Sequence, residues 1–188
     1  DILDLSKIEA GKLQLEHAEF RLESLAARMQ SVAGLQAEAK HLSFSVDLPQ
    51  LPYSLIGDLT RLSQLTLNYL SNAIKFTATG SIRLRAAIEK ESEHEVILRF
   101  EVSDTGKGIA PEHINRIFDP FFTTKLGQGG SGLGMNIVYN IVREIMGGRV
   151  EVASSLGAGT HITVVLPKVA PLSTAPADGV QEHAYFGK

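Results

Sequence analysis

The spacing of apolar residues along the chain predicts three long helices. Apolar residues recur every three or four positions, as in helices with a buried face, in three segments: between Phe20 and Lys40, at residues 58–76 and at residues 133–147. Asp58 precedes the second of them and is a plausible N-cap, while two glycines close the third. A shorter helix is expected from Pro111 to Ile117.

The remaining apolar segments predict strands. Residues 41–49 alternate apolar and polar positions, and residues 80–104 and 148–167 each contain two such runs joined by a turn, which indicates two hairpins. A short strand is expected around Phe20. This mixture predicts an α+β fold: a two-layer α/β sandwich in which about three helices cover one face of a mixed, mostly antiparallel sheet of about five strands.

The chain divides into three parts by pattern. Residues 1–16 have helical periodicity and begin inside it, so we expect the end of a helix belonging to a longer protein. Residues 17–167 hold the predicted sandwich. Residues 168–188 are dominated by Pro, Ala, Ser and Gly, which predicts a disordered tail or linker.

Composition excludes several kinds of function. The net charge of -3 gives no sign of a nucleic-acid surface, and the absence of cysteine excludes thiol catalysis, disulfides and thiolate metal sites. No apolar run approaches the roughly 20 residues of a membrane span, and the six histidines have no metal-ligand spacing. We expect a cytoplasmic fragment that itself contacts neither nucleic acid nor membrane, and a membrane-anchored parent protein is left open.

The helix at residues 58–76 carries a polar stripe. Asn68, Asn72 and Lys75 recur at steps of four and three on an otherwise apolar helix, although Asn is a poor helix former. Carboxamide oxygens suit Mg²⁺, which takes one or two protein ligands and fills its other positions with water and phosphate, and a lysine can meet phosphate charge. The stripe therefore favours a magnesium–polyphosphate site. A solvent-facing stripe remains the alternative for this helix taken alone.

Glycines follow the strand that ends near Asp104. In DTGKGI, Gly106 and Gly108 permit a sharp turn and the close approach of a flat ligand, and Asp104 can accept hydrogen bonds. The alternative is an ordinary Asp-containing turn.

A second glycine segment, GQGGSGLGMNIV at residues 127–138, opens onto a helix. Free N–H groups at a helix N-terminus bind phosphate, although a loop without ligand is the alternative. Gly127, Gly129 and Gly132 match G-x-G-x-x-G, but no strand runs into the loop, which disfavours a dinucleotide fold, and the chain has no P-loop motif.

Three phenylalanines lie between the two glycine segments. Phe118, Phe121 and Phe122 in FDPFFTTK are costly to expose together, so we expect them to anchor one end of a mobile loop on the core. A lid that closes over bound ligand fits that arrangement.

Taken together, these segments resemble the catalytic ATP-binding domain of bacterial sensor histidine kinases, in the GHKL superfamily (Bergerat fold) that also includes gyrase, Hsp90 and MutL-type ATPases. NYLSNAIKF is similar to the N box, DTGKGI to the first glycine box, FDPFF to the F box, GGSGLGM to the second glycine box and GAGTHITVVLP to the closing hairpin. The resemblance covers about residues 1–167.

The resemblance implies ATP and Mg²⁺ as cofactors and assigns a role to each motif. The magnesium ligands would be Asn68 and Asn72, and the residues acting in catalysis Asn68, Lys75 and Lys125. Lys75 would contact phosphate, and Lys125 would reach the γ-phosphate from a lid at about residues 118–131. The pocket for adenine would be formed by Phe76, Asp104, Gly106, Gly108, Ile109 and Thr160. Backbone N–H groups for the phosphates would come from Gly130, Gly132, Leu133 and Gly134.

One position bears on the reaction. The ATPases of the superfamily carry a glutamate general base where this chain has Asn68, which cannot take a proton at neutral pH. The resemblance thus implies a protein-histidine kinase fragment rather than a fast hydrolase. A gyrase-like ATPase and a binding module with a vestigial nucleotide site are the alternatives.

The partners follow from the same resemblance. Residues 1–16 resemble the end of the second helix of the dimerisation hairpin, and no histidine here lies in the acceptor motif H-E-x-R-T-P. The implied partners are the phosphoacceptor histidine domain of the same parent protein and a response regulator or receiver domain. We expect the fragment to be monomeric or weakly dimeric.

Overall fold

The computed structural model describes residues 15–92, 96–124 and 131–171, with side chains to residue 166. The strands are β1 (Ala18–Phe20), β2 (Ser43–Asp47), β3 (Leu55–Gly57), β4 (Ser81–Glu91), β5 (Val96–Asp104), β6 (Arg149–Ser155) and β7 (Gly159–Pro171). The helices are α1 (Leu22–Met29, continued by a π-helical turn at Gln30–Gly34 and by Leu35–Glu38), α2 (Leu59–Phe76), α3 (Pro111–Ile114) and α4 (Gly134–Asn140, continued as a π-helix at Ile141–Ile145).

The sheet is mixed and mostly antiparallel, as predicted. Its order is β1-β3-β7-β5-β4-β2, with β6 also paired to β7. Only β2 and β4 run parallel among the described pairs, because α2 connects them and returns the chain to the same end of the sheet. Five long strands form the main sheet, and the short pair β1–β3 extends it.

One face of the sheet holds the core. On β4, Ile82, Leu84 and Ala86 are buried, while Arg83 and Arg85 between them are exposed. The buried apolar residues of α1 and α2 belong to one cluster together with Val138 and Val142 of α4, so the three long helices cover this one face. The other face is charged and carries ion pairs such as Arg149–Glu89 at 3.0 Å. The two-layer sandwich is confirmed.

The ends of some elements differ from the prediction. Helix α3 stops at Ile114 instead of Ile117, and β3 was not predicted, because three residues beside Pro52 give no periodic signal. Strand β7 runs to Pro171, so residues 168–171, expected in the tail, belong to this strand, and Ala170 and Pro171 pair with β3. Residues 1–14 and 172–188 lie outside the described residues. No helix of the described part is both long and apolar enough to cross a membrane.

Candidate functional site

Helix α2 forms the floor of the candidate site. Its N-terminus is capped by Asp58, whose Oδ1 accepts the Arg61 N–H at 2.8 Å. The stripe of Asn68, Asn72 and Lys75 is half-buried, unlike a solvated face, and Asn72 Nδ2 donates to Asn68 Oδ1 at 3.4 Å. The carboxamides therefore lie together in a partly enclosed position.

The start of α4 lies against this stripe. A Cβ added to Gly134 would come within 2.5 Å of Asn68 Nδ2, so the first residue of α4 touches the carboxamide. No side chain of the described residues caps this N-terminus. Its free N–H groups and dipole favour an anion at this end. Beside them a cavity of about 1100 Å³ runs between α1, α2 and α4, with Arg28, Gln64 and Ile137 in its wall.

Asp104 lies at the other end of the stripe. It is the last residue of β5, in register with Ile82 of β4 and Thr160 of β7, and its Oδ1 accepts the Gly106 N–H at 2.8 Å. Burial raises the pKa of this carboxyl above its ordinary value. This rise in the Asp104 pKa is opposed by the N–H groups of Gly106 and Thr160 and by the Thr77 hydroxyl.

The DTGKGI turn packs against the end of α2. A Cβ on Gly106 would lie 2.7 Å from Phe76 O and 2.8 Å from Thr77 Oγ1, so only glycine permits this approach. Gly108 has φ +69°, and a Cβ there would lie 1.9 Å from a β6 carbonyl oxygen. The turn is therefore fixed by close backbone contacts on both sides.

Ser154 of β6 joins the turn to the last hairpin. Its Oγ accepts the Ile109 N–H at 2.8 Å, donates to Gly159 O at 2.8 Å, and lies 3.1 Å from Thr160 Oγ1. Ile109 and Thr160 are thereby held on the same side of Asp104.

Two lysines flank the Phe76 ring. Lys107 Nζ lies 5.1 Å and Lys75 Nζ 5.9 Å from the ring centroid, within cation–π range. The half-buried ring offers a flat apolar surface next to Asp104, and the ammonium groups place positive charge at its border.

The FDPFF segment is anchored by one phenylalanine more firmly than by the others. Phe118 stacks on Tyr139 of α4 at 4.4 Å, and its carbonyl accepts Asn136 Nδ2 at 2.8 Å. Phe121, by contrast, is 67% exposed with φ 64°, and its backbone lies against Gly132. The expectation that all three rings pack on the core is therefore wrong for Phe121.

Comparison with known proteins identifies the fold family. Residues 57–170 match the family described as histidine kinase-, DNA gyrase B-, and HSP90-like ATPase. The chain belongs to this ATPase family. It is 39% identical over 175 residues to the sensor histidine kinase GacS of Pseudomonas protegens, covering 89% of this chain and 19% of that protein. It is 37% identical over 174 residues to the autoinducer 2 sensor kinase/phosphatase LuxQ of Vibrio harveyi, covering 89% of this chain and 20% of that protein.

A solved structure supports the same assignment for this ATPase-family domain. Full-length ShkA in complex with AMPPNP superposes with a TM-score of 0.78 and 30% identity, over 92% of this chain and 35% of that one. The chain spans about one-fifth of the length of the two curated relatives above. The resemblance to the ATP-binding domain of sensor histidine kinases is confirmed.

Most of the predicted site residues of this ATPase-family domain lie on α2 from Asn68 to Phe76 or on the elements that pack beside it. The structure brings together Asn68, Asn72, Lys75, Phe76, Asp104, Gly106, Gly108, Ile109, Gly134 and Thr160. Gly132 and Leu133 lead directly into α4. Lys125 and Gly130 lie outside the described residues. Prediction from sequence missed Thr77, Lys107 and Ser154, whose roles rest on contacts between distant segments.

The donor set fits magnesium. The described residues contain no cluster of three His, Asp or Glu side chains that could hold a metal ion. Two half-buried carboxamides beside the N-terminus of α4 are the sparse protein ligation that Mg²⁺ tolerates when phosphate and water supply the rest.

Proposed function

We propose that this domain binds Mg²⁺–ATP and donates its γ-phosphate to a histidine in another domain of the parent protein. The site residues follow one another in the order in which a nucleotide would contact them, from the base to the phosphates. Asp104 and Phe76 offer a hydrogen-bond acceptor and a flat surface at one end, and Asn68 meets the N-terminus of α4 at the other. The eight residues from Asn68 to Phe76 separate these ends by about 12 Å. This convergence is the observation that carries the proposal.

Different side chains would have different roles in phosphoryl transfer. Asn68 and Asn72 would hold Mg²⁺, which neutralises phosphate charge when bound. Lys75 and the N–H groups of α4 would stabilise the remaining negative charge, with Lys125 as a further proposed phosphate contact. Phosphoryl transfer depends chiefly on orientation and charge stabilisation, so these groups suffice without a general base.

The cavity beside Asn68 gives an acceptor access. It opens between α1, α2 and α4 beside Asn68 and Gly134 and is large enough to admit an imidazole side chain. We place this event in the cytoplasm, with a response regulator or receiver domain as the later partner and with a monomeric or weakly dimeric fragment.

Calorimetry tests the nucleotide site. ATP should bind with Mg²⁺ present and much more weakly with EDTA, and Asn72→Ala should remove most of the difference. Ser71→Ala is the matched control, because Ser71 is an exposed residue of the same helix. Absence of binding at millimolar ATP would favour a binding module with a vestigial site.

Phosphate release separates kinase from hydrolase. With Asn68 in place of a general base, we expect steady hydrolysis well below about 1 s⁻¹, the low end of typical enzyme turnover. Addition of the parent's histidine-containing domain should give an acid-labile phosphoprotein. Rapid turnover without that domain would favour the gyrase-like alternative.

A further inference from the structure

Thr77 is a buried hydroxyl that lies behind the candidate base-binding aspartate. It is the C-cap of α2 and is wholly buried. Its Oγ1 has no hydrogen-bond partner among the described residues, which is uncommon for a buried polar atom. Because solvent does not reach it, the hydroxyl cannot touch a nucleotide directly.

The Asp104 carboxylate lies beside the Thr77 hydroxyl. Thr77 Oγ1 and Asp104 Oδ1 each lie 2.8 Å from the same point, the place where a Cβ on Gly106 would stand. The hydroxyl opposes the burial-driven rise in the Asp104 pKa, which means that it favours the ionised carboxylate.

The backbone of Thr77 is fixed from two directions. Its N–H donates to Ala73 O at 3.0 Å, and its carbonyl accepts Lys40 Nζ at 3.2 Å. Lys40 also donates to Ile74 O at 2.6 Å and so closes the end of α2. Only the side-chain torsion and the hydroxyl hydrogen of Thr77 remain to be set, and rotation about that torsion can direct the hydroxyl to the Asp104 carboxylate that lies beside it.

We propose that Thr77 is a positioning residue that makes the site selective for a purine with an exocyclic amine over one with a carbonyl at the same position. By donating to Asp104, the hydroxyl keeps the carboxylate an acceptor. An ionised carboxylate can accept from an amino group but cannot donate to a carbonyl, whereas a protonated carboxyl can do so. This inference rests on the proposed nucleotide function and adds the origin of base selectivity.

The test compares ATP with GTP across pH. Calorimetric Kd values for both Mg²⁺–nucleotides would be measured from pH 5.5 to 8 on the full 188-residue chain, Thr77→Val and Thr77→Ser. Valine keeps the shape and removes the donor, and serine keeps the donor. Thr77→Val should weaken ATP binding about tenfold, the loss of one hydrogen bond to a charged group. Its ATP-over-GTP preference should fall most at low pH.

Serine and the melting temperature distinguish positioning from a structural role. Thr77→Ser should stay within about twofold of the parent chain in affinity and selectivity, because the donor persists. Thr77→Val should keep a cooperative melting transition above the assay temperature, because valine has nearly the same shape as threonine. If Thr77→Val does not fold, Thr77→Ala provides the same comparison with serine.

The charged groups around the pair are the same in every variant. Lys40 lies after α1, Lys75 is in α2 and Lys107 lies in the turn after β5, while the register neighbours Ile82 and Thr160 are uncharged. His161 pairs with Ser103 and points to the opposite face. A difference between Thr77→Val and Thr77→Ser therefore isolates the hydroxyl.

Two results would overturn the proposal. One is a Thr77→Val chain with the parent's ATP-to-GTP ratio at every pH, and the other is a Thr77→Ser chain that loses as much as valine. Failure of the parent chain to bind either nucleotide would instead refute the proposed function.

Discussion

Asp104→Asn separates the contribution of the carboxylate to ligand binding from its contribution to folding. A hydrogen bond to an ionised acceptor contributes about 1.5–3 kcal/mol, and each 1.36 kcal/mol corresponds to about a factor of ten in affinity. Asparagine can still accept the Gly106 N–H through its oxygen, but its NH₂ group is a donor where the second carboxylate oxygen of aspartate is an acceptor. We therefore expect ATP binding to weaken by about 10- to 150-fold while the turn persists.

The effect on stability has the opposite sign. Burial raises the folded-state pKa of Asp104, so its favourable contribution is complete below the ordinary Asp pKa and is lost as pH rises through the folded value. Asparagine does not titrate. The unfolding free energy of Asp104→Asn relative to the parent should therefore rise as pH increases from about 4, the ordinary Asp pKa, through the higher folded value, and the variant should be at least as stable at neutral pH.

The assays are calorimetry for ATP and urea unfolding across that pH range. Asp47→Asn is the control, because Asp47 is on the edge strand β2 and its side chain is 61% exposed beside Arg85. It should change stability by less than about 0.5 kcal/mol and leave ATP affinity unaltered. An Asp104→Asn chain that binds ATP within threefold of the parent, or is clearly less stable at pH 7, would refute the reasoning.

Three further substitutions test the packing of the site. Gly108→Ala should lower the unfolding free energy, measured by urea unfolding, by more than the strain of about 1–3 kcal/mol that a positive φ alone would cause. Gly157→Ala is its control, with φ +76° but no atom near the added Cβ. Gly134→Ala should weaken Mg²⁺–ATP binding at least tenfold in calorimetry with little loss of melting temperature, because the new methyl displaces the flexible Asn68 carboxamide. Lys40→Met should lower stability by about 1–2 kcal/mol in urea unfolding through loss of the charged donor at the last carbonyls of α2; an unchanged midpoint would show that this cap contributes nothing.

Local signals were enough to predict the elements that carry the site. Helix α2 has its capping aspartate, its apolar face and its polar stripe within 19 consecutive residues. Both the ends of the helix and the position of the polar stripe could therefore be predicted. The β4–β5 hairpin was likewise predicted from alternation and a charged turn, and this placed Asp104 at a strand end.

Features that depend on distant segments could not be predicted in this way. Lys40 caps α2 from 34 residues away, and Ser154 meets Ile109 across 45 residues. Phe121 is exposed because its positive φ turns the chain against Gly132, and residue type alone does not indicate this. Pairing of β3 with the last residues of β7 likewise needs the finished sheet.

Strand β5 is hydrogen-bonded on both sides, so the corner occupied by Asp104 cannot open without separating β5 from both β4 and β7. Amide hydrogens in the middle of β5 should consequently exchange with solvent only when the entire domain unfolds. ATP at about 100 times its Kd would then slow their exchange by roughly a hundredfold. Hydrogen exchange in the middle of β5 would thus report nucleotide occupancy, although only the end of this strand would touch the ligand.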